Sequence, residues 1–358
     1  MAVYNFNAGP AALPLPVLKK AQEELVNFRG SGMSIMEMSH RSKAYDEVHN
    51  QAIQLLKEVM EIPDTHEVLF LQGGASLQFA MVPMNFLHSG QKAGYVLTGS
   101  WSEKAKKEAD SIGQTEVAGS SKENLYRHIP SNDELQLSDE FAYLHVTSNN
   151  TIYGTQWHEF PHLSVPLIAD MSSDILSRKI DVSQFSLVYA GAQKNLGPSG
   201  VTVVIAEKKL LENANKDIPK ILSYQTHSSS NSLYNTPPTY SIYMLSLVLE
   251  WSKEHGGLDG LQKQNEKKAD LIYQCLDEHS EFYLPHSRKD SRSLMNVTFN
   301  LQNEDLTKAF LKEASERGFT GLNGHRSIGG CRASIYNAVP MESCEALVGF
   351  MEEFRKKH

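Results

Sequence analysis

The chain has 358 residues, more than one compact core usually holds, so two domains are expected. Hydrophobic residues make up 41% and charged residues 21%, the balance of a folded soluble protein, and a net charge of −8 disfavours nucleic acid or an anionic membrane as partner. Three cysteines (Cys275, Cys331, Cys344), none in a CxxC pair, argue against a disulfide framework and a zinc site.

The opening MAVYNFNAGPAALP shows neither the basic n-region nor the apolar h-region of a secretory signal. No apolar run approaches the ~18–20 residues that span a bilayer, so a cytoplasmic setting without membrane contact is expected. Pro14 and Pro16 precede an amphipathic stretch that predicts a helix over 17–28, and Val48, Ile53, Leu56 and Val59 predict another over 45–60. Short apolar runs at 67–71, 93–98, 141–146, 166–169, 185–190 and 201–205 suit buried strands, with helices at 77–87 and 102–112 between them. This alternation predicts an α/β domain with a mainly parallel sheet flanked by helices. Near Gly256-Gly257 the character changes to a charged helix (258–278), a strand (293–300), a helix (305–317) and a closing helix (343–357). The expected division is a large domain over 16–255 and a small α+β domain made of 1–15 and 256–358.

Ligands of open α/β sheets sit outside the carboxyl ends of the strands, so what ends each strand matters most. VLFL runs into Gln72-Gly73-Gly74-Ala75-Ser76, YVLT into Gly99-Ser100-Trp101, and FAYLHV into Thr147-Ser148-Asn149-Asn150-Thr151. PLIA ends in Asp170, and FSLVYA in Gly191-Ala192-Gln193-Lys194. A glycine turn before a helix offers amides and a positive dipole end to an anion, though it also serves as a plain strand–helix turn. It is neither a GxGxxG fingerprint nor a Walker loop. Asp170 alone could be a helix N-cap, and Lys194 alone a surface lysine. Together they read differently, because a lysine desolvated at a strand end is a nucleophile toward an aldehyde. Pyridoxal phosphate needs such a lysine for a Schiff base, an acid at its ring nitrogen, a phosphate cup and a stacking surface, and this edge supplies one of each.

The blocks NFNAGPAALP, MEMSHRS, GGASLQ, TGSW, HVTSNNTIYGTQW, IADMSSDILSR, YAGAQKNLGPSGVTVV, YNTPPTY and GHRSIGGCRASIYNA resemble those of the phosphoserine aminotransferase family, within the class V, fold-type I pyridoxal-phosphate-dependent aminotransferases. The likeness runs from Tyr4 to Val339. It implies an aspartate-aminotransferase-like fold with a seven-stranded-type sheet, and catalysis by Lys194 and Asp170. It further implies that Trp101 stacks on the ring, that Thr151 bonds its phenolic oxygen, and that Ala75, Ser76 and Gln193 hold the phosphate. Asn235 and Thr236 would reach the neighbouring subunit's cofactor in a homodimer; read without the family, NTPP is a proline-fixed loop.

The implied substrates are glutamate and 3-phosphohydroxypyruvate, giving 2-oxoglutarate and O-phosphoserine in a ping-pong cycle of serine biosynthesis. A related phosphorylated threonine analogue from vitamin B6 synthesis suits the same pocket. Such substrates carry two separated anions, and arginine binds either bidentately. Arg332 is implied for the α-carboxylate, and His40, Arg41, His325 and Arg326 for the distal phosphate or γ-carboxylate. Each HR pair by itself would pass for surface charge. The alternative is a class V transaminase for small unphosphorylated amino acids, which would not need the distal cations. A desulfurase would need a mobile cysteine, and Cys331 is the one beside the site blocks.

Overall fold

The computed structural model describes residues 3–358. Its strands are β1 (Tyr4–Asn5), β2 (His66–Leu71), β3 (Lys92–Leu97), β4 (Gln114–Ser120), β5 (Phe141–Thr147), β6 (Asn149–Asn150), β7 (Thr155–Gln156), β8 (Leu167–Asp170), β9 (Leu187–Gly191), β10 (Thr202–Glu207), β11 (Tyr283–Pro285), β12 (Asn296–Leu301), β13 (Phe319–Thr320) and β14 (Cys331–Ser334). Its helices are α1 (Leu15–Glu24), α2 (Lys43–Val59), α3 (Gly74–Phe86), α4 (Ser100–Asp110), α5 (Lys208–Glu212), α6 (Tyr224–Ser229), α7 (Thr239–Glu254), α8 (Gly257–Glu278), α9 (Glu304–Glu316) and α10 (Met341–Lys357).

Seven strands form one sheet in the order β2-β10-β9-β8-β5-β3-β4. Only β10 runs against its neighbours β2 and β9; the other contacts are parallel. Six carboxyl ends therefore share one edge. The period of two is visible in β2, where Val68 and Phe70 enter one core cluster and Leu69 and Leu71 the cluster on the opposite face. Truncating a side chain as enclosed as Phe70 or Trp157 to alanine would cost about 3–5 kcal/mol.

A second core gathers Phe299, Phe310, Phe319, Phe350 and Phe354 between the antiparallel sheet β11-β12-β14 and helices α8, α9 and α10. The N-terminus joins it: β1 pairs with β13 in parallel, and Phe6 is fully enclosed there.

Some elements differ from the sequence reading. Helix α1 stops at Glu24 rather than at 28, because the Asn27 side chain accepts from the Gly32 amide (2.7 Å) and holds a turn instead. Phe28 then swings inward, edge-on to Tyr243. The strand expected from 293 begins at Asn296, since the Ser293 hydroxyl accepts from the Met295 and Asn296 amides. Several elements were not foreseen, among them β4, β14 and α7. β4 is an edge strand with few apolar residues and Val117 left exposed. β14 is four residues long. Helix α7 is buried over 242–249 and so lacks the one-sided stripe that marks a surface helix.

Candidate active site

The shared edge opens into a cavity of about 330 Å³, within the range of small-molecule sites. Its walls come from the turns after β2 (Gly74, Ala75, Ser76), β3 (Trp101), β5 (Thr147, Asn149, Thr151, Ile152), β8 (Asp170, Ser172, Ser173) and β9 (Gln193, Lys194). His325 and Arg332 close it from the smaller sheet's side, and Ala8 and Gly9 from the N-terminal segment. Roomier clefts exist, such as one of 490 Å³ at the amino end of β8, but it is lined by Ser164, Pro166, Lys209 and similar groups without an enclosed amine–carboxyl pair.

Lys194 lies in the turn that follows β9. Its Nζ donates to Thr151 Oγ1 at 2.8 Å. Burial pushes its pKa down to about 8, opposed by the charge of Asp170 and reinforced by that of Arg332. The N-terminal segment braces this turn: the Ala11 amide donates to the Gln193 carbonyl (2.9 Å), and Gly9 lies beside Lys194, where a Cβ would be in ordinary contact with Cγ at 3.5 Å.

Asp170 ends β8 and is 5% exposed. It does not cap a helix; Oδ1 accepts from the Ser172 amide (2.9 Å) and hydroxyl (2.6 Å), a tight turn that fixes the carboxyl's direction. The Gly191 amide donates in turn to Ser172 Oγ (3.1 Å), which ties the two strand ends together. Burial raises the pKa of Asp170, while the Ser172 bonds and Lys194 pull the other way.

At the start of α3, Gly73 has φ 88° and Gly74 φ 64°, both in the left-handed region open to glycine. A Cβ on Gly74 would meet nothing within 4 Å, so the first amides of α3 stand open to a ligand. Three residues of the cavity wall also carry enclosed polar atoms without partners: Thr147 Oγ1, Trp101 Nε1 and Arg332 Nε. Buried groups of this kind are costly unless something bonds them. These residues therefore fit a ligand that carries an anionic group, an aldehyde and a ring base.

Arg332 lies on β14 opposite Thr298 of β12, and its Nη1 reaches the Thr151 carbonyl at 3.5 Å. His325 bonds Ser327 through Nδ1 (2.7 Å); burial lowers its pKa, helped by Arg332, Arg326 and Lys104. Lys104 itself sits 4.3 Å from the centre of the Trp101 ring.

Nine of the fourteen residues singled out from sequence line this cavity: Ala75, Ser76, Trp101, Thr151, Asp170, Gln193, Lys194, His325 and Arg332. His40, Arg41, Arg326, Asn235 and Thr236 do not. His40 is half-buried in a turn before α2, and Arg41, Arg326, Asn235 and Thr236 are exposed. The Thr236 carbonyl accepts from Gln72 (3.0 Å), at the end of β2. Sequence reasoning passed over Ala8, Gly9, Thr147, Asn149, Ile152, Ser172 and Ser173. Ser172 had a signal, since a serine two residues after an aspartate can close its turn. Cys331 is buried in the second core with its thiol pushed well up, which removes it as a nucleophile.

The fold and the lysine–aspartate pair at one sheet edge define an aminotransferase-type site, and the chain belongs to the class V aminotransferases, whose family profile matches residues 3–347. It is 64% identical over 354 residues to the phosphoserine aminotransferase of Geobacillus kaustophilus (strain HTA426), covering 99% of this chain and 98% of that protein. Among solved structures it is similar to the phosphoserine aminotransferase from Bacillus circulans subsp. alkalophilus (58% identity, TM-score 0.98, 99% of each chain). It is also similar to the PLP-bound phosphoserine aminotransferase from Trichomonas vaginalis (37% identity, TM-score 0.94, covering 98% of this chain and 100% of that one). No helix among the described residues is long and apolar enough to cross a membrane, and none of their His, Cys, Asp and Glu side chains group as a metal site.

Proposed function

We propose that this protein transfers the amino group of glutamate to 3-phosphohydroxypyruvate, releasing 2-oxoglutarate and O-phosphoserine, with pyridoxal phosphate as cofactor. The observation that carries this is half-buried Lys194 beside enclosed Asp170 at one edge, with the open amides of α3 and the cation Arg332. When bound, pyridoxal phosphate supplies an aldehyde to hold the amine and a ring to accept electrons from the α-carbon.

The chain's residues divide the remaining work. Lys194 Nζ would hold the cofactor aldehyde and serve as the base that carries the proton of the substrate α-carbon; its lowered proton affinity suits a base near neutral pH. Thr151, already in contact with Nζ, bonds the phenolic oxygen. Asp170 keeps the ring nitrogen protonated. Trp101 stacks on the ring and excludes water, while Ala75, Ser76 and Gln193 hold the phosphate. Arg332 takes the α-carboxylate, and His325 with Arg326 meets the distal anion.

Asn235, Thr236, His40 and Arg41 lie outside the single-chain cavity, three of them exposed, which supports a homodimer in which a second copy supplies these groups. The division into a large domain over 16–255 and a small one of 1–15 and 256–358 accords with this arrangement, because it sets Arg332 and His325 on one body and Lys194 on the other.

Half-reactions test the proposal. Glutamate alone should convert the cofactor-loaded protein and release one equivalent of 2-oxoglutarate; 3-phosphohydroxypyruvate should then restore the original absorbance. Restoration by pyruvate or glyoxylate at equal or higher kcat/KM would overturn the substrate assignment.

A further inference from the structure

Beneath Asp170 lies a second enclosed carboxyl, Asp174, which the chemistry above leaves idle; it is 6% exposed. Its surroundings allow a proton count. Ser148 is fully buried, and its Oγ lies within hydrogen-bond reach of both the Asp170 carbonyl (2.9 Å) and Asp174 Oδ1. Both are acceptors when Asp174 is ionised, yet a hydroxyl has one proton to give. The second oxygen pair would then face each other with nothing between them.

The other side of Asp174 is fixed. Gln156 Nε2 donates to Oδ2 at 3.1 Å, and Gln156 cannot turn over because its Oε1 accepts from the Leu294 amide (2.9 Å). Oδ2 is therefore an acceptor, and any proton on Asp174 must sit on Oδ1, facing Ser148. Arg178 faces the same group and its charge opposes protonation; its Nη1 and Nη2 donate to the carbonyls of His158 and Trp157, and no hydrogen bond joins it to Asp174.

We infer that Asp174 is held as the neutral acid, donating from Oδ1 to Ser148 Oγ, whose own proton is thereby committed to the Asp170 carbonyl. Asp174 is thus a positioning residue that orders the end of β8 and leaves Asp170 as the one anionic carboxyl there. Burial and the neighbouring charge of Asp170 favour the same state, against the opposing charge of Arg178. The functional part of the inference rests on Asp170 being the ring-nitrogen partner; the protonation of Asp174 does not.

Asparagine reproduces the neutral acid, with an amide donor toward Ser148 and a carbonyl toward Gln156. In the cofactor-loaded enzyme, infrared difference spectra between wild type and Asp174→Asn should show a protonated carboxyl stretch that the variant lacks. The pH midpoint of the bound cofactor's absorbance should stay put, and kcat/KM should remain within about twofold. Absence of that stretch, or a midpoint displaced by about one pH unit as expected when a full charge is removed, would overturn the inference. If the variant does not accumulate, wild type labelled with carbon-13 at its aspartate carboxyls decides: a protonated aspartate band near neutral pH supports the inference, and none refutes it. Should the Asp170 assignment fail, Asp170→Asn would leave the absorbance titration unmoved while the infrared test still reads Asp174.

Discussion

At one end of the cavity Asp170 is enclosed and Lys194 half-buried, and each is tied by hydrogen bonds within a single chain. At the other end His325 is half-buried on a loop, and its neighbour Arg326 lies in solvent. The contrast follows from the tasks assigned. A cofactor retained through many turnovers rewards groups pre-set in low dielectric, whereas an anion that must enter and leave, and that alternates between carboxylate and phosphate, is served by adaptable, solvated cations. In the proposed reaction its lowered pKa would make Lys194 a usable base, while exposure would leave Arg326 able to attract anions to a protein of net charge −8.

Substitutions at the two ends should therefore differ in size and in kind. Lys194→Ala should lower turnover by at least about 10⁴-fold, because both the attachment point and the proton carrier are lost. Arg332→Ala, at the junction of the two ends, should cost about 2–5 kcal/mol, or roughly 30- to 5000-fold in kcat/KM for both substrates; near-normal kinetics would remove Arg332 from the carboxylate role. Asp170→Asn should lower kcat by about 10²- to 10³-fold while substrate KM changes little. At the open end, Arg326→Ala should raise KM for the phosphorylated acceptor by about tenfold or less and flatten its dependence on salt. Equal effects of Arg326→Ala and Asp170→Asn on kcat would break the comparison.

Two pH dependences sharpen it. The neutral amine is the nucleophile, so capture of pyridoxal phosphate by the cofactor-free protein should speed up as pH rises through about 8 and level off above. At the open end the sign reverses. Free His325 has a lowered pKa, so it is neutral at pH 7, and a bound dianion would draw a proton onto it. Binding of the phosphorylated acceptor should therefore take up a proton and weaken as pH rises, which calorimetry in buffers of different ionisation enthalpy would detect.

The same division governs what the sequence made legible. Asp170 and Lys194 could be found because each ends a short apolar run, and parallel strands bring such ends to one edge. The glycine pair before α3 was readable for a similar reason. Ala8 and Gly9 carried no local signal: they line the cavity through the N-terminal segment, whose β1 pairs with β13 across the chain. Helix α7 escaped notice because burial on nearly every side erases helical periodicity. For the HR pairs, residue type suggested an anion site, but whether His40-Arg41 and His325-Arg326 share a cavity is a question of tertiary placement. In one chain, only His325 of the four lines it.

The most direct test of the account is O-phosphoserine formation from glutamate and 3-phosphohydroxypyruvate by the cofactor-loaded protein, beside Lys194→Ala and with pyruvate and glyoxylate as rival acceptors. Turnover should strongly favour the phosphorylated acceptor and be lost in the variant. Activity that survives in Lys194→Ala, or a preference for the unphosphorylated acids, would contradict the proposed transamination.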